Sequence, residues 1–214
     1  MILSPSMMCA SYCNLENEIK KLEMAGSDRL HLDIMDGRFV PNFAMGLEDI
    51  KYVCSTARIP CELHLMIERP SEYIELFAKA GADIIYIHPE SDYHPTTVIQ
   101  KIMDAGKEPG IVLNPGTSIE SVVELLNVVK KIMIMGVNPG HAGQMYLPFV
   151  DKKLERIIKI KNEYNLEISI DGACSRERIK RWNKAGVDGF VLGTAALFGK
   201  GEPFGDIIES IRNS

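Results

Sequence analysis

Apolar residues along the chain follow two alternating rhythms. Short runs in which every position or every second position is apolar have the two-residue period of β-strands. Longer segments repeat at three and four residues, the period of an amphipathic helix. The first rhythm predicts strands over residues 2–7, 29–35, 61–67, 83–88, 110–114, 131–137, 167–171 and 189–192. The second predicts helices near 15–25, 47–57, 70–80, 96–105, 119–126, 148–164, 176–185 and 204–211, with one short helical turn after Gly193-Thr194. Gly26, Gly81 and Gly106 close three of these helices, and Pro70 suits a first turn. Ala-Gly-Ala-Asp at 80–83 returns as Ala-Gly-Val-Asp at 185–188, a repeated passage from helix to strand. Strict alternation of strand and helix implies parallel strands, because each parallel connection needs a crossover. Eight such units close into a (β/α)8 barrel, a TIM barrel of the α/β class, as a single domain over 1–214. An open doubly wound sheet is the competing fold, but no Gly-x-Gly-x-x-Gly turn follows the first strand.

Composition narrows the function classes. With 46% of its 214 residues apolar, the chain can bury a large core. A net charge of −5 and the lack of any basic run argue against a nucleic-acid surface. No apolar run approaches the roughly 18 residues that span a bilayer, so no membrane partner is expected. The N-terminus enters an apolar segment without a cationic leader, and the five cysteines show no Cys-x-x-Cys spacing. Both features read as a cytoplasmic protein with reduced thiols.

Candidate chemistry gathers where strands end. In His31-Leu32-Asp33-Ile34-Met35, alternation puts His31, Asp33 and Met35 on one face. Alone, this pattern fits an ion pair in a polar core as well as it fits a metal site. Glu62-Leu63-His64-Leu65-Met66 repeats it, with His64 and Met66 sharing a face. Ile168-Ser169-Ile170-Asp171-Gly172 ends in a third acidic position. In a parallel barrel these strand ends converge on the active face. His31, Asp33, His64 and Asp171 are therefore the candidate ligands of one divalent ion, with Zn²⁺, Fe²⁺, Mn²⁺, Co²⁺ or Mg²⁺ left open. Glycine-bearing loops follow the last strands at 140–143, Gly172-Ala173 and Gly193-Thr194, where this fold commonly binds phosphate through bare backbone N–H groups. Met35, Met66 and Met135 also fall at strand ends, where thioethers can line a water-poor pocket. His88 lacks a partner at matching spacing and reads as supporting or structural; the role of His141 is not set by the sequence. No nucleophile elbow appears, and no lysine lies at a predicted strand end, which counts against a Schiff-base aldolase.

Taken together, Ser4-Pro5-Ser6, HLDIMDGRFVPN (31–42), ELHLM (62–66), LNPGT (113–117), MGVNPGHAGQ (135–144), SIDGACS (169–175) and GTAALF (193–198) resemble the ribulose-phosphate 3-epimerase family over essentially the whole chain. The resemblance implies a metal-dependent isomerase that inverts carbon 3 of a ketose phosphate through an enediolate. It implies that His31, Asp33, His64 and Asp171 bind the metal and that Asp33 and Asp171 are the acid/base pair. It also implies substrate contacts at Ser6, His64, Met35, Met66 and Met135, and phosphate contacts at Gly143, Gly172, Ala173, Gly193 and Thr194. Gly140-His141-Ala142-Gly143, Asp171-Gly172-Ala173 and Gly193-Thr194 depart from the usual pattern. Met8-Cys9, the Asp-Gly-x-Cys pattern ending at Cys174, and Gly193-Thr194 followed by Leu197-Phe198 are similar to an allulose-6-phosphate 3-epimerase branch. The expected substrate is accordingly D-allulose 6-phosphate, with D-ribulose 5-phosphate as the alternative, and a homo-oligomer is expected. A lyase on the same barrel would be expected to show Asp-x-Lys-x-x-Asp where this chain has HLDIMD. A sugar-phosphate binder without chemistry would not need both carboxylates.

Overall fold

The computed structural model describes residues 1–213, so only Ser214 of the expected domain lies outside it. Strands β1 (Ile2–Pro5), β2 (Leu30–Asp36), β3 (Phe43–Ala44), β4 (Cys61–Met66), β5 (Ile84–Ile87), β6 (Glu108–Leu113), β7 (Lys131–Met135), β8 (Glu167–Asp171) and β9 (Gly189–Leu192) form one sheet in the order β1-β9-β8-β7-β6-β5-β4-β2-β3. Every pairing is parallel except that of β2 with β3. A parallel bridge between Ser6 and His31 joins the first strand to the second and brings the sheet round into a barrel. The α-helices are α1 (Leu15–Met24), α2 (Leu47–Thr56), α3 (Ile74–Lys79), α4 (Pro95–Asp104), α5 (Val150–Tyr164), α6 (Arg176–Ala185) and α7 (Phe204–Arg212).

The main core lies between sheet and helices. Leu32, Leu63, Leu65, Ile85 and Ile134 on the outward strand faces are buried with Ile19, Ile50, Ile99, Leu154 and Ile208 of the helices. The barrel interior is a separate layer, containing Tyr86, Val112, Met133, Met135 and Val191. Tyr86 fits there because Gly110 faces it: a Cβ at that glycine would meet the ring at 2.3 Å. Inward positions of β2 and β4 break the apolar pattern, since His31, Asp33, Glu62 and His64 are all buried.

Several expected helices take other forms. The segment predicted as a helix over 119–126 is two 3₁₀ turns, Ile119–Ser121 and Val123–Asn127. Val122 between them has φ −129°, as suits a β-branched pair that resists helical crowding. The helix expected over 70–80 is a 3₁₀ turn, Pro70–Glu72, then α3, with Tyr73 at φ −121° breaking the run. After Gly193 there is a turn rather than a helix, held by Leu197 N–H donating to the Gly193 carbonyl at 3.0 Å. The first strand ends at Pro5, and Met7–Cys9 forms a 3₁₀ turn. The Pro41-Asn42 loop turns out to be a hairpin, which returns β3 onto Met35 and Asp36.

Candidate active site

The loops that crown the barrel are tied to one another before any ligand is considered. Asp36, the last residue of β2, accepts from the N–H groups of Arg38 (2.8 Å) and Phe39 (3.0 Å) through one oxygen, and from Glu68 N–H (2.8 Å) through the other. Asn42 donates from Nδ2 to the Gly140 carbonyl at 2.7 Å, joining the hairpin to the loop after β7. Gln144 donates to the carbonyls of Asn138 (2.6 Å) and His141 (2.9 Å), which folds that loop on itself. The loop after β8 is tighter still. Gly172 has φ +97°, and a Cβ there would meet Val137 Cγ2 at 2.6 Å. Ala173 follows at φ +53°, a left-handed conformation unusual for alanine. Its carbonyl accepts from Arg178 and from Ser175 N–H, while the Arg178 guanidinium lies 3.8 Å from the Tyr146 ring centroid.

These loops surround a cavity of about 270 Å³ at the C-terminal end of the barrel. Ser6, Asp33, Met35, Met66, Met135, Gly143, Asp171, Gly172, Ala173, Gly193 and Thr194 all line it. His31 and His64 do not; both are fully buried in its floor. Every candidate residue from the sequence is thus in one place. His141 lines the wall from an exposed position.

At the floor, His31 Nε2 lies 3.4 Å from Asp33 Oδ1 and 4.0 Å from Asp171 Oδ2. His64 Nδ1 lies 3.5 Å from Asp33 Oδ1 and 3.4 Å from Asp171 Oδ2. Both nitrogens are buried without a hydrogen-bond partner among the described residues. Two orphaned imidazole nitrogens facing two carboxylate oxygens, all within 4.8 Å of one another, form a group that can hold a metal ion. The donor chemistry suits a divalent cation.

The remaining polar atoms of Asp33, His31 and His64 are engaged. Ser6, expected as a substrate contact, donates from Oγ to Asp33 Oδ2 at 2.6 Å. His31 Nδ1 lies 2.9 Å from Glu62 Oε1, and His64 Nε2 lies 2.9 Å from His88 Nε2. Burial alone would raise Asp33, yet the charge and hydrogen bonds of His31 and His64 hold it far below the carboxylate range. Burial would lower His31 and His64; the facing carboxylates raise both instead. Burial and the neighbouring His64 push His88 well below the ordinary imidazole value, which leaves it neutral. Glu62 is absent from the sequence-derived candidates. Its signal was present in ELHLM, where it shares the inward face with His64 and Met66.

Residues 2–198 match the model of the ribulose-phosphate 3 epimerase family. The chain belongs to that family. It is therefore an enzyme of the isomerase class. The ribulose-phosphate 3-epimerase of Helicobacter pylori strain J99 is 39% identical over 196 residues, covering 91% of this chain and 89% of that protein. The Bacillus subtilis protein of the same name is 37% identical, covering 90% of each. Among solved structures, 3-hexulose-6-phosphate synthase from Salmonella typhimurium superposes with a TM-score of 0.76 at 16% identity, covering 100% of this chain and 97% of that one. Likeness at that identity concerns the barrel fold alone.

Proposed function

We propose that this family member interconverts the carbon 3 epimers of a ketose phosphate, D-ribulose 5-phosphate and D-xylulose 5-phosphate. The observation that carries the reading is the pair Asp33 and Asp171. They project from β2 and β8, two strands that are not neighbours in the sheet, onto the floor of one glycine-walled cavity. Carbon 3 lies next to the ketone, so the electrons of its C–H bond can pass into an enediolate when a base takes the proton. One carboxylate takes that proton, and the other delivers a proton to the opposite face. Positioned acid/base groups of this kind typically contribute about 10²–10⁴-fold each. His31, Asp33, His64 and Asp171 would hold a divalent cation, which supplies Lewis-acid stabilisation of the charge on the substrate oxygens. Ser6 steadies Asp33 through its hydrogen bond, while Met35, Met66 and Met135 wall the reacting carbon with groups too weakly basic to compete for its proton. Gly143, Gly172, Ala173, Gly193 and Thr194 form the side of the cavity suited to the phosphate.

The relatives favour the five-carbon substrate over the allulose 6-phosphate expected from local motifs, since those named above are called ribulose-phosphate 3-epimerases. The six-carbon sugar remains a second reading on one ground: Ala173 and Thr194, where the motifs depart, both face the cavity. Metal-loaded protein assayed with both sugars should give the higher kcat/KM with ribulose 5-phosphate. A clear preference for allulose 6-phosphate would reverse the choice, and no turnover of either would end the epimerase reading.

A further inference from the structure

The two imidazoles at the cavity floor are backed by partners of different kinds. His64 Nε2 faces another imidazole, His88, at 2.9 Å, and that contact works with either ring as donor. His31 Nδ1 faces a carboxylate, Glu62 Oε1, at 2.9 Å. A carboxylate only accepts, so His31 Nδ1 carries a proton, and in the neutral ring that a metal ligand must be, Nε2 keeps the lone pair. That Nε2 is the buried, unpartnered atom directed at Asp33 and Asp171. Glu62 is itself fixed from below. Its side chain is 2% exposed, and its Oε2 lies 3.3 Å from Arg29 Nη1. Arg29 in turn makes a two-pronged pair with Glu167 at 2.7 and 2.9 Å, and Lys131 donates to Glu167 at 2.9 Å.

We propose that Glu62 is a positioning residue: its hydrogen bond to Nδ1 locks His31 in the tautomer and ring orientation that turn Nε2 into the four-residue group. The inference rests on the reading of that group as a metal site and concerns the strength of the site rather than the reaction. Through Nδ1, the carboxylate also makes Nε2 a better electron donor, as carboxylates behind metal-bound imidazoles do. His31 is the anchored ligand of the pair, and His64, with its neutral neighbour, is the adaptable one.

Cobalt(II) is a suitable probe, because its visible spectrum reports on ligand geometry and its affinity can be measured against a competing chelator without substrate. Glu62→Gln keeps the volume and an acceptor atom but removes the charge. It should weaken cobalt binding about 10-fold and shift the visible band. Glu62→Leu also removes the acceptor and should weaken binding by roughly 100-fold. Arg29 keeps its pair with Glu167 in both variants, and if the leucine variant does not fold, the glutamine variant decides. A Glu62→Gln protein with parental cobalt affinity and an unchanged spectrum overturns the proposal. So does a change confined to the melting temperature of the metal-free protein, which is what a merely structural role would give. Failure of the parental protein to take up cobalt is a distinct result, and it removes the metal-site reading along with the inference.

Discussion

Asp33 is the most constrained side chain in the cavity. One of its oxygens accepts from Ser6, and the other faces both orphaned imidazole nitrogens. Asp171 is less enclosed, with a side chain 14% exposed against 5% for Asp33, and it meets the same nitrogens from β8. Inverting a carbon requires a proton donor on each face, since a single base would return the proton to the face it left. Asp33→Asn and Asp171→Asn should therefore each abolish epimerisation, with residual turnover about 10²–10⁴-fold below the parent. Each substitution also removes a candidate ligand, so metal content has to be measured alongside. In metal-loaded variants, each should still exchange the carbon 3 hydrogen of one epimer with solvent deuterium, and the two should act on opposite epimers. Parental turnover by either variant with full metal content would refute the two-carboxylate mechanism.

At the level of elements, the site is made of strand ends that supply chemistry and loops that supply space. The loops after β7, β8 and β9 bring Gly143, Gly172 and Gly193 to the lining of the cavity. Gly193 differs from Gly172 in having room: the nearest atom to a Cβ there would be Cys9 Sγ at 3.8 Å. Gly193→Asp should consequently fold, and its carboxylate would meet the substrate's phosphate as a like charge. We expect KM to rise on the order of 10–100-fold with metal affinity unchanged. An unaltered KM would remove this loop from the phosphate site. Strand ends and glycine loops were legible in the sequence because each has a local signature, a two-residue period or a Gly in a polar turn. The bounds of β8, β9 and α6 came out as expected for that reason. The misjudged elements are those decided by tertiary contact. The hairpin at β3 is tied by Asn42 to Gly140, 98 residues away, and the turn before α3 is tied by Ser71, which donates to Asp92 at 2.6 Å. His88 was visible as a strand-end histidine, but its partner His64 lies 24 residues earlier and on a different strand.

For the whole molecule, the barrel interior carries charged groups at both ends as well as its apolar layer, with the reactive group at one end. At the other, Arg29, just before β2, reaches Glu62 on β4 and Glu167 on β8, and Lys131 on β7 reaches Glu167 and, at 3.3 Å, Glu108. Strands β2 and β8 are not neighbours in the sheet, so the Arg29–Glu167 pair holds the barrel across its interior, while the other pairs reinforce seams between neighbouring strands. Arg29→Met would keep much of the side-chain volume and leave two acidic groups short of a cation. One of them, Glu62, is almost wholly buried. Removing one partner of a buried network costs about 3–5 kcal/mol. The lower end applies here, because Lys131 still serves Glu167, which is 23% exposed, and His31 still serves Glu62. The loss should depend on pH with a definite sign. Burial would raise Glu62 and Glu167, but the first is held below the ordinary carboxylate value by His31 and Arg29, and the second by Arg29 and Lys131. A carboxylate lowered in the folded state contributes stability that is present above its unfolded pKa, roughly 4.3, and is lost as pH falls through the folded value. Arg29 accounts for part of that contribution. The gap in unfolding free energy between parent and Arg29→Met should be about 3 kcal/mol in urea titrations at pH 7.5 and should narrow as pH drops below about 4. A gap of the same size at both pH values would mean that the variant fails through lost packing, and that the Arg29 charge network does not hold the barrel together.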